Sequence, residues 1–593
     1  MKKILLIGLS LLSLGGYAQW GPDPQLAIPA GENVYATECA TGSDGTTWYL
    51  MYHPNLVTGD EYDIQNNIYE YRLQIFDKDG NKKTGDDVGM LISAERNRSW
   101  TVVNQYLLID RDNNAIVAVS DARNSTDESM PLSFTIYKIS PEGEMLWGED
   151  GVSVDGGYAY DVLAGMSMTQ IDDGSYVFAW MRSASGGNND MTIEMQRLSS
   201  DGKLLWDAKD VRLGGSNAYM YPYVVDAGYN QVILVYALGG NQDLYARKID
   251  FDGTPVWSKD VRIYRGGWGG IPLWTKLSVV PSGDGGVLLS WNDDRNYTWV
   301  ESAYVSYVTA DGKLGFSGAS EEGDVKVGYS GWKAFNCVVT PDPDNDGFIA
   351  AWRETESSQS YTHLKVQRIS KSGELLWDEE GVTLTDDLES LYDLGLYTSF
   401  AYLSLHPGNE GQTGLFCQRR QDLTNYETML IVLDNKTGEI WDKGQITIEE
   451  RNSGDLTALM TSVCESEKFW IGLWEAGIPT DTDGPWVTQK HIQRINFDGT
   501  IGSSEVSEIT KPVVSEKELT ATFDGSSLIL NAVTSENITV SLYDLSGRQV
   551  AELYKGVARA GRNVISLTPL SAGMYIVKVE AGQASCSLKI NIQ

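Results

Sequence analysis

The chain has 593 residues and a formal net charge of −35 at pH 7. Because so acidic a protein repels polyanions, we exclude DNA and RNA as partners. It has only 4 histidines and 5 scattered cysteines without C-x-x-C spacing, so we expect neither a histidine-based metal centre nor a zinc or redox motif.

The first residues have the three parts of a secretory signal peptide. Lys2 and Lys3 give a positive start, residues 4–14 are an apolar stretch too short to span a membrane, and small residues up to Ala18 suit cleavage. We predict a signal peptide over residues 1–18. No later stretch approaches the ~20 apolar residues of a membrane span, so we expect export without a transmembrane segment.

A β-hairpin pattern then recurs along residues 33–510. Apolar residues alternate up to an Asp-Gly turn, and a tryptophan that can pack between sheets often follows the turn glycine by four positions, as Trp206 follows Gly202. The turn glycines are spaced by about 60 residues, which indicates a repeat architecture. They are Gly80, Gly143, Gly202, Gly253, Gly312, Gly373, Gly438 and Gly499.

Each repeat reads as four short strands without helical periodicity, which is typical of a blade of a β-propeller. We predict an all-β, eight-bladed propeller, because closing the ring removes exposed sheet edges. Seven blades is the alternative, since the first hairpin lacks its tryptophan and the last has Ile501 and two small residues instead. In a closed ring Cys39 and Cys464 would be neighbours, as a disulfide or as two free thiols.

The pattern changes after a polar linker at residues 511–518. Residues 519–593 contain short strands spaced as in a small Ig-like β-sandwich. Several motif positions stand out here, namely Tyr543, Asp544, Gly547, Arg548, Gly573, Tyr575 and Lys589. With these residues the region resembles the type A C-terminal sorting domain of the Bacteroidetes type 9 secretion system. The resemblance implies recognition by that translocon and its sorting machinery, passage through periplasm and outer membrane, and secretion or attachment to the cell surface.

The strand order divides the connections of the repeats between two faces. Tight Asp-Gly turns share one, the turn face; long polar loops after each second strand and aromatic links between repeats share the other, the loop face. We expect ligand contacts on the loop face, by stacking on aromatic rings and by arginines that recur after the second strand. Struts between blades are the alternative for the arginines. The residues are Trp268, Trp274, Trp299, Trp332, Tyr160, Tyr221, Arg123, Arg182, Arg295 and Arg353.

One turn has the beginning of a calcium-binding loop. Asp342, Asp344 and Asp346 alternate before a glycine, as in Ca²⁺ loops. The late ligand is missing, because Arg353 stands at position twelve. We therefore expect no cofactor, with Ca²⁺ at this turn as the alternative.

The chain has no nucleophile elbow, zincin helix or phosphate loop. The sequence thus predicts a non-catalytic binding or adhesion protein, secreted or attached to the surface, whose propeller binds a glycan or a protein. Two alternatives stay open: a carbohydrate-active enzyme, glycosidase or lyase, on the same scaffold, and a structural protein of the surface layer.

Overall fold

A computed structural model describes most of the chain, and its regular structure there is entirely β-strand. It divides into two compact units, Met1–Ser503 and Ser504–Gln593. The predicted signal peptide and linker lie outside the described residues. The described residues are 20–21, 27–32, 35–55, 68–85, 88–94, 105–121, 123, 133–154, 162–183, 191–206, 212–213, 222–238, 243–266, 277–295, 301–318, 320, 322–328, 333–342, 347–355, 362–387, 400–420, 425–452, 459–479, 486–502, 520–523, 527–532, 536–543, 548–558, 561–566, 573–581 and 584–592.

The described part of the first unit forms eight four-stranded antiparallel sheets, which we number in chain order. Four consecutive strands build each of sheets 1 to 7, from β2–β5 to β26–β29. This confirms the predicted all-β chain of four-stranded repeats. The strands are β1 (Ile28–Glu32), β2 (Tyr35–Thr41), β3 (Thr47–Asn55), β4 (Ile68–Phe76), β5 (Met90–Ser93), β6 (Gln105–Ile109), β7 (Ala115–Asp121), β8 (Ser133–Ile139), β9 (Val152–Ser153), β10 (Val162–Gln170), β11 (Tyr176–Ser183), β12 (Met191–Leu198), β13 (Arg212–Leu213), β14 (Tyr223–Asp226), β15 (Val232–Leu238), β16 (Asp243–Ile249), β17 (Val261–Tyr264), β18 (Ser278–Pro281), β19 (Val287–Asp293), β20 (Ser302–Val308), β21 (Asp324–Lys326), β22 (Lys333–Asp342), β23 (Gly347–Thr355), β24 (Thr362–Ser370), β25 (Val382–Asp387), β26 (Phe400–Pro407), β27 (Gln412–Arg420), β28 (Asn425–Asp434), β29 (Ile440–Asn452), β30 (Leu459–Cys464), β31 (Phe469–Pro479) and β32 (Trp486–Asn496).

Sheet 8 combines strands from both ends of this unit. Its order is β1-β32-β31-β30, so β1, which precedes the predicted repeats, is its outer strand. The first strand of each sheet contacts the first strand of the next, from β2 and β6 onward to β26 and β30, and β30 in turn contacts β2. The N-terminal strand therefore completes the last sheet, and that sheet packs against the first.

The core lies between the faces of neighbouring sheets. Second strands such as β7 and β19 are buried along their whole length, because each is covered on both faces. Trp180, Trp291 and Trp352, near the ends of second strands, are fully buried. They pack in clusters that join consecutive sheets, as large aromatic side chains commonly do in β-structure.

Cys39 and Cys464 lie in one apolar cluster where sheet 8 meets sheet 1. Both are free thiols. The Cys39 sulfur lies 3.7 Å from the Ser462 hydroxyl, and the Cys464 sulfur lies 3.2 Å from the Gly42 carbonyl oxygen. Of the two alternatives that the sequence left open, the structure therefore shows the unbridged pair.

The second unit has two antiparallel sheets that share one apolar core. One has the order β33-β34-β37 and the other β36-β35-β38-β39. Leu528 and Ile565 of the first sheet pack with Val540 and Val577 of the second, which is the packing of a small β-sandwich. The strands are β33 (Thr520–Phe523), β34 (Ser527–Ala532), β35 (Glu536–Tyr543), β36 (Gln549–Ala558), β37 (Gly561–Ser566), β38 (Gly573–Ala581) and β39 (Ala584–Ile592).

Candidate functional site

The arginines after the second strands are held by carboxylates at the base of the loop face. Arg295 donates at 2.7 Å both to Asp293 and to Asp324, and its guanidinium lies 3.6 Å from the ring centre of Tyr304. Burial alone would lower the pKa of Arg295, but the hydrogen bonds and charge of Asp293 outweigh it and raise that pKa. The same guanidinium lies 4.9 Å from the ring centre of Tyr264 in sheet 4, so it also joins two sheets.

Arg123 has the same environment in sheet 2. Its Nε donates to Asp121 at 2.8 Å and its Nη1 to the Asp150 carbonyl oxygen at 2.6 Å. A further nitrogen contacts the Tyr137 hydroxyl and, at 3.4 Å, the Ser93 hydroxyl of sheet 1. The guanidinium thus connects the second strand to the segment before β9 and to the neighbouring sheet.

Arg182 and Arg419, which lie at the ends of the second strands of sheets 3 and 7, also pair with carboxylates, whereas the described contact of Arg353 is with an aromatic ring. Arg182 lies 3.3 Å from the buried Glu194, and Arg419 lies 2.6 Å from Glu427. Arg353 lies 5.1 Å from the ring centre of Phe335, and burial lowers its pKa to about 10. These contacts are those of internal struts; ligand binding by the same arginines stays a prediction.

Asp342 of the predicted calcium turn is buried and already paired. It accepts a hydrogen bond from Arg368 at 2.8 Å and a second one from Asn435 at 3.2 Å. In the part of the chain that the structure describes, no group of three His, Cys, Asp or Glu side chains is arranged to hold a metal ion. Calcium therefore stays a prediction.

The other predicted residues of the loop face and of the calcium turn lie outside the described residues. They are Trp268, Trp274, Trp299, Trp332, Tyr160, Tyr221, Asp344 and Asp346.

The hairpin tryptophans form a repeated contact on the turn face. Each of four donates its indole N–H to a carbonyl in the hairpin turn of the next sheet, always two residues before the turn glycine. The indole ring also covers several of these glycines, for example Gly202 and Gly312. The pairs are Trp147 to Ser200 at 3.1 Å, Trp206 to Phe251 at 2.9 Å, Trp257 to Ala310 at 3.2 Å and Trp377 to Lys436 at 3.2 Å. We call this contact the indole latch.

Trp20 makes the same contact from the other end of the unit. The hairpin of sheet 8 has no tryptophan, but the Trp20 indole donates at 2.9 Å to the carbonyl of Lys78, two residues before Gly80 of sheet 1. Gln493 of sheet 8 donates to the Gly21 carbonyl at 3.2 Å, just as Gln367 of sheet 6 donates to the residue after Trp377. The N-terminal segment therefore replaces the missing hairpin tryptophan.

Sequence reasoning missed the role of Trp20. The signal was present as a pair of facts, a tryptophan just after the predicted cleavage site and a last hairpin without one. The two are far apart in sequence, and only the packing of sheet 8 against sheet 1 brings them together.

The sorting-motif residues of the second unit lie along its larger sheet. Tyr543 ends β35, Gly573 begins β38, and Lys589 of β39 pairs with Ile576. Tyr575 packs against the core, whereas Arg548 is exposed. Asp544 and Gly547 lie outside the described residues.

The comparison with protein families identifies this second unit. The family described as "Secretion system C-terminal sorting domain" matches residues 525–593. The predicted sorting domain is thus confirmed, and it implies export by the type 9 secretion system and interaction with its sorting machinery. Within the described residues no helix is long and apolar enough to span a membrane.

Solved structures give only distant likenesses. The chain is similar to the plexin A4 extracellular region (10% identity, TM-score 0.36, 82% of this chain and 60% of that one). It is also similar to the β-propeller domain of the Trilobed protease from Pyrococcus furiosus (10%, 0.34, 71% and 99%) and to an α-L-arabinofuranosidase from Lactobacillus brevis (12%, 0.27, 47% and 92%). The chain spans 60% and 52% of the two plexin A4 chains that it matches. At these TM-scores the likenesses carry no argument about function. A comparison with curated proteins found no match.

Proposed function

We propose that this chain is a non-catalytic binding protein, displayed on the cell surface by the type 9 secretion system, whose first unit is a closed eight-bladed β-propeller. The sorting domain at residues 525–593 supports the export route. The type A class of that domain, the Bacteroidetes source and the signal peptide belong to the same proposal.

The closed ring is supported where sheet 8 meets sheet 1. There, β1 pairs with β32, β30 contacts β2, and the Trp20 indole reaches the first hairpin. Eight sheets linked through their first strands, with the last one returning to the first, have the connectivity of eight blades.

The observation that carries the binding proposal is the rigid base of the loop face. Buried or half-buried pairs such as Arg295 with Asp293 and Arg182 with Glu194 stand where second strands enter their loops. Such pairs fix the ends of the loops, and loops on a rigid scaffold are the usual place of ligand contacts. The links between repeats, which we predict on the same face, carry Trp268 and Trp332, whose rings suit stacking on sugars or on an apolar patch of a protein.

The test is a screen of the purified full chain, with its sorting domain, on glycan and protein arrays. We expect binding that falls at least tenfold in Trp268→Ala or Trp332→Ala. Tyr229→Ala is the matched control, because Tyr229 is 89% exposed on the turn face. If both loop variants bind as the unchanged chain does, the placement on the loop face is wrong.

The two alternatives have their own outcomes in the same preparation. Turnover of a polysaccharide by the full chain would establish the carbohydrate-active enzyme instead. Ordered self-assembly without binding to any array member would favour the surface-layer protein. Arg295→Ala is not a fair probe of binding, since it leaves buried Asp293 and Asp324 without their cation.

A further inference from the structure

In the hairpin of sheet 1, which faces sheet 2, the latch position carries no aromatic residue. Thr84 stands four residues after Gly80, where Trp147 and Trp206 stand in their own hairpins. Its hydroxyl donates inward to Gln74 at 2.6 Å, so it does not reach sheet 2. Among the described residues no donor is bonded to the Pro141 carbonyl, which is the equivalent latch acceptor.

A groove lies beside Gly143, the turn glycine that an indole from sheet 1 would cover. Its volume is about 580 Å³, within the range of about 300–1,000 Å³ for ligand sites. One wall is β5 of sheet 1, with Met90 and Leu91; the other is the hairpin of sheet 2, with Gly143 and Met145. A Cβ atom on Gly143 would lie 3.5 Å from the Met90 sulfur, whereas one on Gly202 would meet the Trp147 ring.

A larger side chain borders this groove than borders the equivalent place in other sheets. Met90 opens the fourth strand of sheet 1, at the position that valine takes in sheets 2, 4 and 6. The longer methionine covers part of the vacant area, and thioethers make favourable contacts with aromatic rings. Leu91 stays 44% exposed beside it, so an apolar surface remains open to solvent.

The far end of the groove is acidic. Glu149 and Asp150 line it and are exposed. Arg123, which lines the same end, already donates to the Asp150 carbonyl oxygen and to Asp121. A cation next to an inserted ring would therefore meet two carboxylates, and this attraction weakens with salt.

We propose that this groove is a docking site for a polypeptide partner that inserts a tryptophan next to a lysine or arginine. The fold itself indicates the occupant. At five other contacts between neighbouring sheets, an indole of this same chain lies at the hairpin turn and donates to the equivalent carbonyl. The acidic end selects the basic neighbour. The groove begins at Gly143 on the turn face and ends at Arg123, at the base of the loop face. The proposal uses none of the loop tryptophans on which the ligand proposed above depends.

The test uses two probes and the full chain. Acetyl-lysyl-5-fluorotryptophan amide is titrated and followed by ¹⁹F NMR, beside the same probe with glutamate in place of lysine. We expect a saturable shift with the lysine probe, at least threefold weaker binding of the glutamate probe, and weaker binding of the lysine probe at high salt. No saturable shift would overturn the proposal. Equal affinity for both probes would overturn the role of Glu149 and Asp150.

Variants of the groove locate the binding. Thr84→Trp supplies the missing indole from within and should weaken the lysine probe at least tenfold, whereas Thr254→Trp, in the exposed hairpin turn of sheet 4, should leave it unchanged. Met90→Phe fills the groove from the β5 wall and keeps the test valid if Thr84→Trp fails to fold. A folded groove variant that binds the probe like the unchanged chain contradicts the site.

Discussion

Sheet 1 contacts sheet 8 and sheet 2 differently, although at both contacts the hairpin lacks the tryptophan of the indole latch. On one side the hairpin of sheet 8 lacks a tryptophan, and on the other the hairpin of sheet 1 lacks one. Trp20, 2% exposed, repairs the first contact. Nothing in the described chain repairs the second, where a groove remains. The comparison teaches that the fold keeps an indole where the two ends of the unit meet and tolerates its absence at one contact where the chain itself joins the sheets.

The largest effect is expected at the repaired contact. Trp20→Ala removes a buried indole, its hydrogen bond to the Lys78 carbonyl and its packing on Phe76. Loss of a buried tryptophan typically costs about 3–5 kcal/mol, and here the loss falls on the contact that joins sheets 8 and 1. Urea unfolding of the full chain would measure it. A change below about 1 kcal/mol would show that sheet 8 holds without the latch.

A second effect concerns how stability depends on pH at the contact between sheets 7 and 8. His406 of sheet 7 lies 2.7 Å from the Thr461 hydroxyl of sheet 8, and burial lowers the pKa of His406 to about 4. The folded state thus binds fewer protons than the unfolded state below the ordinary pKa of 6.5. Stability is therefore full above pH 6.5 and falls as the pH drops towards 4, by up to about 3 kcal/mol.

The measurement is the free energy of unfolding at pH 7 and pH 4.5, in the unchanged chain and in His406→Gln. Glutamine can keep a hydrogen bond to Thr461 but does not titrate, so the variant should lose less stability on acidification. Parallel pH profiles of the two proteins would refute this role of His406. The groove between sheets 1 and 2 has no histidine among its lining residues, so we expect no such pH effect there.

A smaller effect is expected at an ordinary latch. Trp147 is only partly buried, and it bonds to the Ser200 carbonyl between sheets that the chain already connects. We expect Trp147→Ala to cost about 2 kcal/mol, less than a fully buried tryptophan. Thr84→Ala, at the same position of sheet 1, is the matched control and should cost about 0.5 kcal/mol or less. Equal costs at both positions would mean that the latch adds no stability.

The comparison also separates what the sequence could predict from what it could not. The hairpins, the turn face and the burial of Trp180 and Trp291 follow from local alternation and from turn chemistry, which act over a few residues. The roles of β1 and Trp20 depend on contacts with residues 489–492 and with Lys78. No local pattern predicts such long-range pairing, and both β1 and Trp20 lie before the first predicted repeat.

The arginines show the same limit at the candidate site. Their recurrence after second strands was visible in the sequence, and both a ligand and a strut were consistent with it. Asp293 and Asp324 decide the geometry of Arg295, yet Asp324 follows it by 29 residues. Which of 81 acidic residues pairs with a given arginine depends on strand pairing and bulges. The pattern therefore located the base of the loop face without revealing its chemistry.

The smallest effect on stability, and the most direct test of the comparison, is Thr84→Trp. If the groove is a vacant latch site, an indole at position 84 should reach the Pro141 carbonyl, cover Gly143 and stabilise the full chain by about 1 kcal/mol. Part of the gain is lost because Met90 must move and because Gln74 loses the hydroxyl of Thr84. Combining Thr84→Trp with Met90→Val, the residue of the other sheets, should recover that part. A double variant less stable than Thr84→Trp alone would mean that the groove is shaped by something other than the missing tryptophan.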